Sequence, residues 1–236
     1  MKTLDINMMF WTDGHLNSTR ERNVKYAAKK LRDLANYLNT SNKIKCTYNI
    51  YDYSPSKLIE DSIHIPYLPS VYKRSEKINN ILKTSTADLF SIIDSDCFIQ
   101  EKYYDTLISV IEEHGIDSCF TFDVIDLEPH QTEEVANTDI TADNFIASSR
   151  FPDRAGMLGA LFITNTANLI KHGGFNTKFN TWGGEDGEIY GKIWEDNSIK
   201  KIQIKNDIIK LYHLHHICDR ENINYFNYDE YVKNNY

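Results

Sequence analysis

Three short clusters in this 236-residue chain hold side chains whose types and spacing can do chemistry. Asp94-Ser95-Asp96 ends an apolar run and is followed by more apolar residues, Cys97, Phe98 and Ile99. Two acids one residue apart at a strand end can divide a task, one holding a divalent cation and the other a ribose or a second ligand. Carboxylate oxygens suit magnesium or manganese, and such an ion neutralises charge on a departing diphosphate. The triplet alone is weak, because roughly one or two would arise by chance in so aspartate-rich a chain, and solvated acids at a loop start would look the same. His213, His215 and His216 form the second cluster, where imidazole could complete a site begun by Asp96. Strand alternation puts His213 and His215 on one face and His216 on the other, unless the strand has ended. A titrating surface patch or an all-histidine zinc site are the other readings, although neither HExxH nor paired CxxC spacing is present.

Trp182-Gly183-Gly184-Glu185-Asp186 is the third cluster. Glycines permit close backbone approach to a ligand, tryptophan offers a flat platform for a sugar ring, and acids at a helix start sit in a favourable dipole. One of those acids can accept a proton from an attacking hydroxyl. A capped helix with a structural tryptophan is the plain alternative. Arg20 and Arg22 open the first helix, and Arg74 opens another before the acidic triplet. Guanidinium forks suit phosphate, whereas a solvated helix face would also explain each of them taken alone.

These clusters need elements to position them. Leu4–Trp11 reads as a strand ending at Asp13-Gly14, and Val24, Ala27, Ala28, Leu31, Leu34, Ala35 and Leu38 then recur at three and four, an amphipathic helix. Ile44–Tyr53 reads as a strand stopped by Ser54-Pro55, with Asp52 near its end, and Ser62–Tyr67 as a short one. A helix over Val71–Lys83 precedes the strand Asp88–Ile93. Tyr103–His114 reads as a helix closed by Gly115, and Asp117–Ile125 as one strand. The polar stretch Asp126–Arg154 has no clear period and reads as an excursion or mobile loop. Leu158–Thr164 is strand-like, Asn165–His172 a short helix closed by Gly173-Gly174, and Glu185–Glu195 a helix. Ile199–Ile204 and Ile208–Leu214 are late strands. Alternating strands and helices predict an α/β fold with a mostly parallel central sheet flanked by helices, and ligands bind beyond the carboxyl ends of such strands.

Bulk properties narrow the partners. A net charge of -8 argues against nucleic acid and anionic membrane surfaces. No run approaches the ~18 apolar residues of a membrane span, and Met1–Phe10 is too short and polar for a signal peptide. Cys46, Cys97, Cys119 and Cys218 are far apart, and we read them as reduced thiols of a cytoplasmic chain, mostly strand-buried. No repeat or linker divides the sequence, so one domain is expected over 1–236.

Taken together, the clusters resemble the catalytic domain of the beta-1,4-galactosyltransferase group and its bacterial relatives. Thr19-Arg20-Glu21-Arg22 with Val24-Lys25-Tyr26 is similar to that group's FRNR segment, whose arginines contact the nucleotide. Tyr72-Lys73-Arg74 with Asn79 resembles FNRAKLLN, which also lines the nucleotide. Asp94-Ser95-Asp96 sits where the family has DVD, so the resemblance implies Asp96 as a manganese ligand. Gly173-Gly174-Phe175 through Trp182–Asp186 and Ile189-Tyr190 resembles NGF…WGWGGEDDDIFNRL, implying Asp186 as catalytic base and Glu185 as an acceptor-contacting or supporting acid. His216 through Asn222 fits the spacing of the family's metal histidine and its SRDKKN. A reading like bacterial chondroitin polymerases favours His213 instead, and both stay open. Met157-Leu158-Gly159-Ala160 aligns with YFGG near the donor sugar, with Met157 in place of a tyrosine linked to donor choice. The acid triplet continues here as Gly187-Glu188, the vertebrate members' disulfides and anchor have no counterpart, and about Asp117 to Arg154 matches nothing in the family.

The resemblance thus implies a GT-A-type domain with a nucleotide-binding part over 1–100 and an acceptor-binding, catalytic part over 101–236. Its expected activity is inverting transfer of a hexose or N-acetylhexosamine from a UDP-sugar to a glycan hydroxyl, with Mn2+ or Mg2+. The donor would contact Arg20, Arg22, Asp52, Tyr72, Arg74, Asn79, Asp94, Gly159, Trp182 and Gly184, with Asp52 at the uracil. The alternatives are a nucleotidyltransferase, a non-catalytic sugar-binding module of the same fold, and a histidine-rich zinc hydrolase.

Overall fold

In the computed structural model the described residues are 1–10, 18–66, 73–139, 148–149, 160–179 and 184–216. Their order is β1 (Lys2–Phe10), α1 (Ser18–Thr40), β2 (Ile44–Asp52), β3 (Ile63–His64), α2 (Arg74–Leu82), β4 (Leu89–Asp94) and β5 (Cys97–Ile99). Then follow α3 (Tyr104–His114), β6 (Ser118–Phe122), β7 (Val124–Asp126), α4 (Pro129–Thr138), β8 (Ser148–Ser149), β9 (Leu161–Asn165) and α5 (Thr166–Lys171). The last elements are α6 (Glu185–Glu195), β10 (Lys200–Ile204) and β11 (Leu211–His213).

Seven strands form the main sheet in the order β10-β6-β9-β4-β1-β2-β3. All its neighbours pair in parallel except β9, which runs antiparallel between β4 and β6. Alternation along the strands feeds two cores. Leu4, Ile6, Met8 and Phe10 of β1, with Leu89 and Ile93 of β4, pack with the apolar faces of α1 and α3. Phe90 and Ile92 instead join α2 and α6 through Ile78, Ile81, Leu82, Ile189 and Ile193. The seven α1 positions picked out by their spacing are all buried. Ala27 and Ala28 are fully buried, so a larger side chain at either would overpack by about 1–3 kcal/mol.

A second sheet, in the order β5-β11-β7-β8, carries the third core, where Tyr26 meets Phe98 edge-on and Phe98 stacks on Tyr212. Register puts Phe10 beside Asp52 and Met9 beside Asp94, so the carboxyl ends of β1, β2 and β4 form one edge.

Several expected elements differ. The strand expected over Asp117–Ile125 divides at Asp123, whose N–H bonds Ile204 O before β7 leaves for the second sheet. The expected late strand Ile208–Leu214 shortens to β11, because Ile208 and Ile209 N–H both turn back to Lys205 O. The aperiodic stretch from Asp126 contains a helix, α4. It starts with Pro129 in its first turn and Gln131 Oε1 accepting from Glu128 N, but Val135 is its one apolar buried residue. Hydrophobic period therefore could not reveal it. Polar pinning takes its place: Asp139 closes α4 in the left-handed region and receives Lys29, Lys30 and the Tyr26 hydroxyl from α1. Among the described residues no helix is long and apolar enough to cross a membrane.

Candidate active and metal site

The turn from β4 to β5 holds Asp94-Ser95-Asp96 at the carboxyl edge of the main sheet. Asp94 N–H bonds Ala160 O, just ahead of β9, and Asp96 O accepts from Leu214 N, so the turn is held from both sides. β11 ends at His213, after which strand alternation no longer applies. Both His213 and His216 consequently reach Asp96: His216 Nε2 lies 2.9 Å and His213 Nε2 3.5 Å from Asp96 Oδ2. The two rings meet edge-on, 5.4 Å between centroids.

His215 goes elsewhere with its backbone. Its N–H donates to Thr132 Oγ1 of α4, and its carbonyl accepts from Asn23 Nδ2 of α1. The helix that hydrophobic pattern missed thus anchors the histidine segment. His213 Nδ1 bonds Asp126 Oδ1 at 2.7 Å, and β7 and β11 place the two residues opposite each other. A carboxylate behind one ring nitrogen fixes the tautomer and leaves the other nitrogen to face Asp96, an arrangement common behind metal-ligating histidines.

Electrostatics agree with a site for positive charge. Burial raises the Asp96 carboxyl, but His213 and His216 outweigh it and hold the group well below the usual carboxylate range. Burial lowers His213, yet Asp96 and Asp126 push it up to about 10. One carboxylate and two imidazoles fit a divalent transition ion, in which role the cation replaces the proton as the positive partner.

Arg74 joins this turn to the start of α6. Its guanidinium bonds Glu185 Oε1 and Asp94 Oδ1, each at 2.8 Å. Burial disfavours its charge, but Asp94, Glu185 and Asp186 overcompensate and raise it. Asp94 is raised by burial to about 6, with Arg74 pulling it down. Gly184 caps α6 at φ 88, a left-handed conformation that favours glycine, and brings Glu185, Asp186 and Glu188 into the first turn. Asp186 Oδ1 accepts from Gly187 N. Its carboxyl is raised by burial and by Glu185, partly offset by Arg74. Asp186 also lines a small recess with Cys119, Phe162, Ile189, Tyr190 and Ile193.

Other residues expected to contact the donor make bonds within the protein. Asp52 is fully buried, and its two oxygens accept from Ser54 N and Leu58 N, so it holds the turn after β2. Asn79 clasps the backbone of Phe175 through both side-chain atoms, at 2.7 and 2.8 Å, which makes it a strut for the glycine turn. Arg74 spends two of its donors on carboxylates. Arg22 faces Glu133 of α4 at 3.8 Å, and Arg20 is exposed. Tyr72, Gly159 and Trp182 lie outside the described residues.

Two neighbours escaped the sequence reading. Asp126 became visible through the β7–β11 pairing, which no local pattern announces. Cys97, read as a reduced, strand-buried thiol, has its Sγ within 4.8 Å of ligand atoms of Asp96 and His213. Its place next to the acidic triplet was the signal available.

Comparison with curated proteins finds no match. A family model described as the N-terminal domain of galactosyltransferase matches residues 143–217, the span that holds α6, His213 and His216. Among solved structures, the chain is similar to GalNAc-T7 in complex with UDP, GalNAc and Mn2+, at 14% identity and a TM-score of 0.59, over 98% of this chain and 48% of that one. It is also similar to the catalytic domain of Drosophila beta1,4galactosyltransferase 7 in complex with xylobiose, at 14% identity and a TM-score of 0.56, over 99% of this chain and 80% of that one. The chain thus spans about half the length of the first of these structures. At these identities the likeness concerns architecture: the fold is the mixed α/β arrangement of the GT-A glycosyltransferases, with a large, mostly parallel sheet and flanking helices.

Proposed function

We propose that this chain is an inverting, metal-dependent glycosyltransferase that moves a hexose or N-acetylhexosamine from a UDP-sugar to a hydroxyl of a glycan or glycoconjugate. The observation that carries the reading is the convergence of Asp96, His213 and His216 at the sheet edge, joined through Asp94 and Arg74 to the acids that open α6. A GT-A-type fold and the galactosyltransferase family match over 143–217 support it.

Asp96, His216 and His213 would hold the cation, Mn2+ or Mg2+. Two imidazoles beside one carboxylate favour manganese, since magnesium prefers an all-oxygen shell. When bound, the ion supplies charge neutralisation for the departing diphosphate. Asp126 keeps His213 in the ligating tautomer. Arg74 fixes the Glu185 carboxylate and the Asp94 turn relative to each other, so the two ends of the site keep one spacing.

Asp186 acts as general base. The acceptor O–H gives its proton to Asp186 as the new O–C1 bond forms, and the C1–O bond to phosphate breaks with its electron pair leaving on UDP. Attack comes from the face opposite the leaving group, which inverts the anomeric centre. Asp186 must lie within ~3 Å of that hydroxyl in the productive complex. Arg20, Arg22, Asp52, Tyr72, Arg74, Asn79, Asp94, Gly159, Trp182 and Gly184 remain the proposed donor contacts.

Incubation with a panel of nucleotide sugars and glycan acceptors, with and without Mn2+, tests the proposal. Manganese-dependent formation of a glycoside with inverted configuration is expected. Release of pyrophosphate from UTP and a sugar phosphate, with no transfer from any nucleotide sugar, would overturn it in favour of nucleotidyl transfer.

A further inference from the structure

Cys97 stands opposite His213 in the antiparallel β5–β11 ladder, and Asp126 stands opposite the same histidine in the β11–β7 ladder. Residues directly opposite in a ladder project to the same face, with Cβ atoms ~4.5–5.5 Å apart. The row Cys97, His213, Asp126 therefore shares one face, and Asp96 reaches over it from the adjoining turn. Asp96 Oδ1 lies 3.8 Å from Cys97 Sγ, while its Oδ2 lies 3.5 Å from His213 Nε2. One ligand atom from each of Asp96, Cys97 and His213 falls within 4.8 Å of the other two. A four-coordinate ion with bonds of ~2.0–2.3 Å separates its ligand atoms by roughly 3.3–3.7 Å, so these spacings need only small adjustment.

We infer that Cys97 is a thiolate ligand in waiting, which turns the cation site of Asp96 and His213 into a high-affinity site for a thiophilic divalent ion such as Zn2+. The inference rests on the reading that Asp96 and His213 bind a cation, and adds a ligand and a second class of metal to it. Mn2+ prefers oxygen and nitrogen ligands and leaves the thiol protonated. A softer ion exchanges the S–H bond for a metal–sulfur bond, and the proton leaves to solvent. No electron is transferred. Asp96, Cys97 and His213 would then hold the softer ion through a thiolate that manganese does not use. Thiophilic ions would therefore displace manganese.

Cobalt(II) is the probe, used under reducing, oxygen-free conditions on the whole chain. Titration of the parent protein is expected to produce a sulfur-to-cobalt charge-transfer band in the near ultraviolet, together with the visible bands of a four-coordinate ion. Cys97→Ser should abolish the charge-transfer band and keep cobalt binding. Zn2+ affinity, by competition with a chromophoric chelator, should fall by at least the ~10-fold that loss of an outer-shell partner costs, with Mn2+ affinity unchanged. Cys218→Ser, two positions beyond His216 in sequence, should leave the band in place. Cobalt bound by the parent without a charge-transfer band would overturn the role of Cys97 while sparing the manganese site. A band lost with Cys218→Ser and kept with Cys97→Ser would overturn it as well. Absence of cobalt binding by the parent would overturn both this inference and the cation site beneath it. The parent spectrum decides without reliance on the folding of any variant.

Discussion

Replacing Arg74 with methionine probes the joint between the two halves of the site. The guanidinium is 9% exposed and bridges Glu185, 2% exposed, to Asp94, 37% exposed. Methionine keeps much of the volume and removes the charge. The Asp94 arm, partly exposed, contributes about 1 kcal/mol. The Glu185 arm is different, because its loss strands a buried carboxylate, and breaking such a pair costs about 3–5 kcal/mol. A loss near 3 kcal/mol is expected, equivalent to a fall in Tm of ~6–12 °C for a chain of this size. Urea unfolding of Arg74→Met, Glu185→Gln and the double variant forms a cycle. The double variant should be less destabilised than the sum of the singles by about 2 kcal/mol, since the amide no longer needs a positive partner. A loss below ~1 kcal/mol for Arg74→Met, or simple additivity in the cycle, would refute the buried bridge.

Asp186→Asn should reduce transfer by ~10²–10⁴-fold and leave UDP binding unchanged, as seen by product analysis beside calorimetry. Because the Asp186 carboxyl is raised by burial and by Glu185, its base form is lost at a higher pH than for an ordinary aspartate. kcat/KM should accordingly fall as pH drops through that raised value; an acid limb at the ordinary carboxylate range would remove Asp186 from the role. Asp126→Ala should weaken Mn2+ binding by ~10–100-fold through loss of His213 orientation, and equal affinity in a calorimetric titration would deny Asp126 that function. Gly174 has φ +70 and a Cβ there would meet Asn79 Oδ1 at 2.5 Å, whereas Gly173, at φ +83, has open space. Gly173→Ala should cost about 1–2 kcal/mol for backbone alone. Gly174→Ala should cost about 1 kcal/mol or more beyond that by disturbing the Asn79–Phe175 clasp, and equal unfolding free energies would contradict the strut.

How far the sequence spoke depended on the kind of force involved. Apolar period located β1, α1, β4 and α6 because each buries a continuous face, and the α/β, largely parallel arrangement follows from their alternation. The places of the acidic turn after β4 and of the acids opening α6 were legible too, since glycine and aspartate mark where elements stop and start. What stayed hidden is held by polar contacts or by pairing at long range. α4 has one buried apolar side chain and depends on Asp139 gripping α1. Asp126 gains meaning through its opposite number, His213, 87 positions away. Asp52 and Asn79 likewise accept from backbone N–H groups that no local pattern announces. The question of which histidine meets Asp96 had no answer in strand periodicity, because β11 stops at His213 and lets His216 curl back beside it.

Electron paramagnetic resonance of Mn2+ titrated into the protein with UDP, for the parent and for Asp96→Asn, reaches the heart of the account. The parent should take up one ion whose free signal disappears on binding, and Asp96→Asn should leave that signal in solution over the same range. Equal uptake by the two proteins would contradict the claim that Asp96 and its histidines hold the cation.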